Sequence, residues 1–296
     1  MFILRYKKIF FAFSILLVLV SAIGIITKGF NWGIDFTGGS VVEIEYTNAV
    51  PSFDQVQATV KTAIPEASVQ KIGEKGFLIR TSVLSQSDKD TFLKNIGSTG
   101  EFTEKRFNTI GPSIGKELRT KSLVAIILIS IAITLFVAFA FRSISQPIAS
   151  WKYGVIVIAV LFHDILIPAG FFAWSGTQVD TLFVVGILTI LGVSVNDTIV
   201  VFDRIRENLK KHYHGKNSLP FAEVVGKSIS ETFTRSLMTS VTVLLAILAL
   251  VVFGPESVRT LSITMFLGMF FGTYSSIFIA APLLVVWNNW HMKKGK

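Results

Sequence analysis

The sequence predicts an α-helical membrane protein: six transmembrane helices, with an extracytoplasmic α+β domain between the first and the second. Three observations carry this reading. Six apolar runs are each long enough to cross a hydrocarbon core, which takes about 20 residues. A polar stretch, residues 28–121, separates the first run from the second and is built of short alternating segments. Lys and Arg collect in the connections on one side of the runs. Composition decides less. Hydrophobic residues make up 51% of the chain, a proportion that soluble domains also reach.

The first run, residues 9–27, follows Arg5, Lys7 and Lys8. A basic start before an apolar run is also the mark of a signal peptide. This run is longer than a signal core and shows no small-residue cleavage site, so an uncleaved anchor is expected. Residues 1–27 then form a cytoplasmic segment and the first helix. Within residues 28–121, strands are expected at 41–46, 67–72, 76–81 and 100–107. Helices are expected at 52–64, capped by Ser52, and at 87–96. The resulting βαββαβ order is that of a ferredoxin-like α+β domain. The remaining residues, 122–296, hold five runs, at 122–141, 153–173, 181–202, 236–253 and 261–287, joined by cytoplasmic loops. The last contains Gly268, Gly272 and Pro282, so a kink or an interfacial end is expected there.

Orientation follows from charge. Arg5, Lys7, Lys8, Arg142, Lys152, the basic residues from Arg204 to Lys216, Lys227, Arg235 and the C-terminal lysines all fall on one side. The short loops of the other side hold Arg259 alone. The positive-inside rule then places both termini in the cytoplasm and residues 28–121 outside. The net charge of +9 is accounted for by this topology and does not point to nucleic acid. With no cysteine, the chain can hold no disulfide, zinc-cysteine site or iron-sulfur cluster. No metal-ligand cluster, nucleophilic triad or phosphate loop stands out, and the stretch His214-Gly-Lys-Asn-Ser218 lacks the upstream glycine of an ATP-binding loop. The expectation is a non-enzyme without cofactor or metal.

The residues that could carry chemistry lie in the membrane. Asp197 sits inside the fourth run, where a carboxylate costs roughly 2.5–3.5 kcal/mol on insertion scales. It either anchors a helix contact or binds and releases a proton or cation. Gly186, Thr189, Val193 and Asp197 share a helix face, with Gly192 and Asn196 beside it, and small residues let another helix approach. Arg235 opens the fifth run, with Thr239 and Thr242 one and two turns on. It either snorkels to headgroups or pairs with Asp197. Asp197 precedes Asp203 by roughly 9 Å of helix rise, so the depths of Asp197 and Arg235 are compatible. Asp203, Arg204, Arg206 and Glu207 read as an interfacial charge cluster. His163 and Asp164, inside the third run, read as a helix–helix hydrogen bond or as a secondary proton relay. Asp35, flanked by glycines, suits a tight turn.

Three stretches carry a resemblance. Gly33-Ile-Asp-Phe-Thr-Gly-Gly39 follows the first helix. Gly111-Pro-Ser-Ile-Gly115 precedes the second. The third runs from Ser194 to Asn208 and contains Val-Asn-Asp-Thr-Ile-Val-Val-Phe-Asp-Arg-Ile-Arg-Glu-Asn. In order and spacing, over nearly the whole chain, they resemble the SecF family of the bacterial protein-export machinery, part of the resistance-nodulation-division superfamily. The resemblance implies an inner-membrane accessory subunit of the Sec translocase that uses the proton motive force in late steps of export. Its implied partners are SecD as a separate chain, the SecYEG channel, YajC, exported polypeptides and the lipid bilayer. It links Asp197 and Arg235 to proton coupling, and Asn196, Thr239 and Thr242, which the spacing places beside them, are expected to share that site. It assigns structural roles to Gly33, Asp35, Gly38, Gly39, Asp203 and Arg204. The runner-up is a proton-driven small-molecule exporter of the same superfamily. Such exporters usually carry larger outer domains and both membrane halves in one chain.

Overall fold

The computed structural model describes residues 2–142, 149–212 and 219–294. The stretch 214–218, including Lys216, and Lys296 lie outside the described residues. The chain divides into two compact units, Trp32–Leu123 and Met1–Asn31 with Val124–Lys296.

The helices of the larger unit begin with a short α1 (Phe2–Arg5) and the apolar α2 (Lys7–Lys28). In the smaller unit, α3 (Ile34–Thr37) is a single turn. After it come β1 (Gly39–Tyr46), α4 (Phe53–Ala63), β2 (Ser68–Ile72), β3 (Gly76–Thr81), α5 (Gln86–Gly97) and β4 (Phe102–Ile110). The four strands form one antiparallel sheet in the order β2-β3-β1-β4. Period-two alternation builds its core: Val42, Ile44 and Tyr46 from β1 and Phe77 and Ile79 from β3 turn to one side. There they meet Val56 and Val60 of α4 and Phe92 and Ile96 of α5, and these nine residues are all essentially inaccessible to solvent. Both helices start with a reciprocal capping box, Ser52 with Gln55 and Ser85 with Asp88, which satisfies backbone N–H groups that the first turn leaves unpaired. β4 carries a bulge opposite Glu43 and Ile44, where Arg106 and Glu104 pair and Lys105 is the extra residue. The sequence places this last strand at 100–107. The bulge offsets its side-chain alternation, so periodicity alone sets the boundary too early.

The described residues hold six helices long and apolar enough to cross a membrane. They are α2, α6 (Pro112–Ala140), α7 (Ser150–Ser175), α8 (Thr181–His212), α9 (Phe221–Phe253), and the sixth formed by α10 (Arg259–Ser275) with α11 (Ala281–Lys294). Between α10 and α11 the helix widens into one π turn, Ser276–Ala280. The irregularity expected from Pro282 thus takes the form of a π turn and not a break. Proline removes a backbone donor and crowds the carbonyl four residues earlier, and a wider turn relieves both. α7, α8 and the α10–α11 helix are the most buried of the six. Helix α2 lies along α7, where the Trp174 indole N–H donates to the carbonyl of Val20 at 2.9 Å.

Candidate functional site

Among the described residues of the helical unit, three groups of polar side chains stand out. The first centres on Asp197, half-buried on α8. Ser240 on α9 donates its hydroxyl to Asp197 Oδ2 at 3.2 Å and shares the same proton with the carbonyl of Ser236 at 2.8 Å. The pairing of Asp197 with Arg235 that the spacing suggests is not formed. Among the described residues no carboxylate lies within 4.0 Å of the Arg235 guanidinium, and Arg235 is exposed. Helix geometry explains this. Ser240 is five residues beyond Arg235, so the two point about 140° apart around α9. Ser236, Ser240 and Ile247 form the buried face, while Arg235, Thr239 and Thr242 share the exposed one. The hydroxyls of Thr239 and Thr242 are occupied by their own helix, on the carbonyls of Arg235 and Thr239 at 2.9 and 2.8 Å. Asn196 is exposed, and the space beside Gly192 is open: a Cβ added there would meet no heavy atom within 4 Å. Gly186, by contrast, packs directly on Thr264 of α10. The small-residue stripe of α8 is therefore covered at one end and bare at the other.

The second group is more buried than the first. Asp164 on α7 is fully enclosed. Its Oδ1 lies 2.8 Å from His163 Nδ1. Its Oδ2 accepts from the hydroxyls of Ser194 on α8 and Ser275 on α10, the latter at 3.0 Å. Ser276, at the start of the π turn, meets Thr198 of α8 at 2.8 Å. Gly272 lets α10 approach this closely, since a side chain there would stand 3.2 Å from Ser194 Oγ and 3.5 Å from Asp164 Oδ2. Of the two roles open to His163 and Asp164, the helix–helix hydrogen bond is thus formed, and by Asp164 to two helices at once. Ser194, Ser275 and Ser240 carry no charge and no unusual spacing, and for that reason sequence reasoning passes over them.

The third group joins the ends of α8 and α9. Arg204 Nε donates to Glu231 at 2.6 Å, and another guanidinium nitrogen reaches Glu207. Asn208 donates to Glu231 at 2.7 Å and to Ser228 at 3.0 Å. The interfacial cluster expected at 203–207 is present, but its main tie crosses to Glu231 on the next helix. Asp203 contributes one long contact to Arg206, at 3.5 Å. Glu231→Ala should therefore lower the detergent-solubilised protein's stability by about 1 kcal/mol, within the range of partly exposed ion pairs and charged hydrogen bonds. Asp203→Ala should leave the melting temperature nearly unchanged. Equal shifts for the two variants would contradict the clamp.

In the smaller unit the two glycine motifs pack on each other. Gly33 caps α3 in extended backbone, and Phe36 is buried, with its ring edge-on to Trp32 at 5.6 Å. The Arg119 guanidinium lies over the same Trp32 ring at 4.1 Å. A side chain at Gly38 would meet the backbone of Pro112 at 2.7 Å, and one at Gly115 would meet Gly38 N at 2.8 Å. Asp35 lies in the first turn of α3, so the expected tight turn is a one-turn helix. Outside the membrane helices, the Lys105 ammonium beside Glu45, at 2.8 Å, holds that carboxyl below its ordinary range and is itself pushed up.

Residues 89–290 match the family model for the protein export membrane protein SecD/SecF, C-terminal, and residues 23–50 match that of the SecD/SecF GG motif. The protein translocase subunit SecF of Sebaldella termitidis is 38% identical over 288 residues, covering 95% of this chain and 90% of that protein. Its counterpart in Thermobaculum terrenum is 36% identical, covering 97% and 94%. Among solved structures, the translocon-associated membrane protein SecDF of Thermus thermophilus is similar with a TM-score of 0.84 at 34% identity. The match takes in 97% of this chain and 38% of that one, so the chain spans little more than a third of the SecDF length. SecDF in a super-membrane-facing form gives a TM-score of 0.71.

Proposed function

The chain belongs to the SecF family of protein translocase subunits, and from that premise we propose that it acts with SecD to drive late steps of protein export with the proton motive force. The observation that carries the reading is Asp197: a carboxylate in the middle of a membrane helix, half-buried, with one neutral hydroxyl partner among the described residues. A charge there is costly, so the group gains from being protonated in one state and ionised in another. Arg235 on the exposed face of α9, which also carries Thr239 and Thr242, and Asn196 with the open side of Gly192 on α8 are polar or bare positions that a partner helix would cover better than lipid. We assign them to the interface with SecD. Arg235 then acts on Asp197 after a helix rotation, or on an acid of the partner. The likeness to a chain more than twice as long, whose name joins both subunits, supports this pairing. The SecYEG channel, YajC and the exported chain complete the assembly. Secretion by vesicles holding the complex, with and without an imposed gradient, tests the coupling. A chain that responds to the gradient without SecD would refute the interface.

We place both termini in the cytoplasm and read the Trp32–Leu123 unit as a ferredoxin-like domain outside the inner membrane. Its βαββαβ order and the charge asymmetry of the short loops support this. The chain has no cysteine of its own, so single cysteines report topology directly. Ser87 and Lys210 are both exposed. An impermeant thiol reagent applied to the outer side should label Ser87→Cys and leave Lys210→Cys untouched. The opposite pattern would invert the topology.

A further inference from the structure

We propose that His163 and Asp164 form a second protonation site, distinct from Asp197, and that helix α2 reads its state through Tyr274. The purpose of such a site rests on the proton-coupling function above. Its existence does not.

The pair is sealed within the helical unit. His163 is 4% exposed and Asp164 is 0% exposed. One proton is shared between Nδ1 and Oδ1, whichever atom carries it. The other carboxylate oxygen is filled by the hydroxyls of Ser194 and Ser275. That leaves His163 Nε2, which is buried and has no hydrogen-bond partner among the described residues. With Nε2 bare, the pair carries one net negative charge surrounded by neutral groups. With a proton on Nε2, imidazolium and carboxylate balance. Among the described residues no other group offers that balance. Around the pair, Tyr274 is on α10, and Asp197 on α8 turns to Ser240. Lys152 near the start of α7 lies against Trp151 and Trp287. Arg204 on α8 is taken by Glu231 and Glu207, and Lys7 and Lys8 stand at the start of α2. The sole ion-pair partner of Asp164 among the described residues is His163.

The readout follows from packing. The His163 ring lies beside that of Tyr274, with centroids 6.3 Å apart and planes 26° from parallel. Tyr274 donates its hydroxyl to the carbonyl of Phe10 on α2 at 2.9 Å and accepts from Ser14 on the same helix at 3.5 Å. A proton added to Nε2 creates a buried donor where the described residues provide no acceptor. Such a group must find one. The ring has to turn to do so, and it turns against the residue that ties α10 to α2. Ser275 and the π turn that begins at Ser276 follow Tyr274 directly, so one end of the movement lies where the helix is already wide.

The chain has four histidines, and replacing His212, His214 and His291 with Gln leaves His163 as the only one. With that chain labelled with nitrogen-15 histidine and reconstituted with SecD, NMR recorded from about pH 8 down to about pH 5 should show a second form of His163, with Nε2 at the imidazolium position. The change should persist in Asp197→Asn. Tyr274→Phe should shift its midpoint, because the contact to Phe10 is lost. A single unchanging form of His163 over that range overturns the site, and an unmoved midpoint in Tyr274→Phe overturns the readout. The NMR signal does not require export, so its failure is separable from failure of gradient-driven secretion.

Discussion

Asp197→Asn should reduce secretion to its gradient-independent level while leaving assembly with SecD intact. The substitution keeps size and shape. Ser240 can still donate to the remaining carbonyl oxygen, so the α8–α9 contact survives. What is lost is the exchange of a proton. A membrane potential supplies about 2.3 kcal/mol per charge per 100 mV, enough for one proton to bias a two-state switch and too little to unfold a stable domain. The loss should therefore be complete for the gradient-dependent fraction, not graded. Asp197→Glu, which still titrates, should keep part of it. Vesicles carrying the Asn variant with SecD, energised by an imposed gradient, give the measurement. Secretion at the wild-type rate would make Asp197 a structural anchor and remove it from coupling.

Gly38→Ala should be a severely damaging single-methyl change in the smaller unit. Gly38 has φ of 77° and ψ of 164°, a region essentially reserved for glycine. Forcing another residue into it costs roughly 1–3 kcal/mol from backbone alone. The added Cβ would also stand 2.7 Å from the backbone of Pro112, which cannot swing aside as a side-chain tip could. Gly73 provides the control. Its φ is 58°, but nothing lies within 4 Å of a Cβ there. Gly73→Ala should accumulate almost normally, while Gly38→Ala should lower the melting temperature sharply and deplete the protein from membranes. Similar melting temperatures for the two would show that the packing of Gly38 on Pro112 contributes nothing.

Much of this architecture is legible in the sequence because the physics behind it is local. Apolar runs report membrane helices, and period-two alternation at Val42, Ile44 and Tyr46 reports a strand with one buried face. Ser52 announces its helix by the hydrogen bond it accepts. The packing of Gly38 on Pro112 is a contact between distant motifs. Both motifs are visible as glycine-rich strings, yet nothing in either says that they touch. The membrane site is legible in its charges and not in its partners. Asp197, Asp164 and His163 stand out because ionisable groups are costly in a bilayer. Ser240 and Ser194 are ordinary hydroxyls, and only the rotation of each helix about its own axis tells which of them faces an acid. Spacing along α9 favours Arg235, whereas the helix turns Ser240 toward Asp197.

The π turn at Ser276–Ala280 sets the angular phase of the last membrane helix. A π turn holds one residue more than an α turn, and one residue is about 100° of rotation. Everything after Ala280 is thus offset from where an uninterrupted helix would aim it. Before the turn, Ser275 looks toward Asp164. After it, Ala281, Leu284 and Val285 look into the apolar core. An unbroken α-helix would have to give up one of these alignments to keep the other. The extra residue works as a fixed twist in a shaft, letting a polar centre and an apolar wall share one helix.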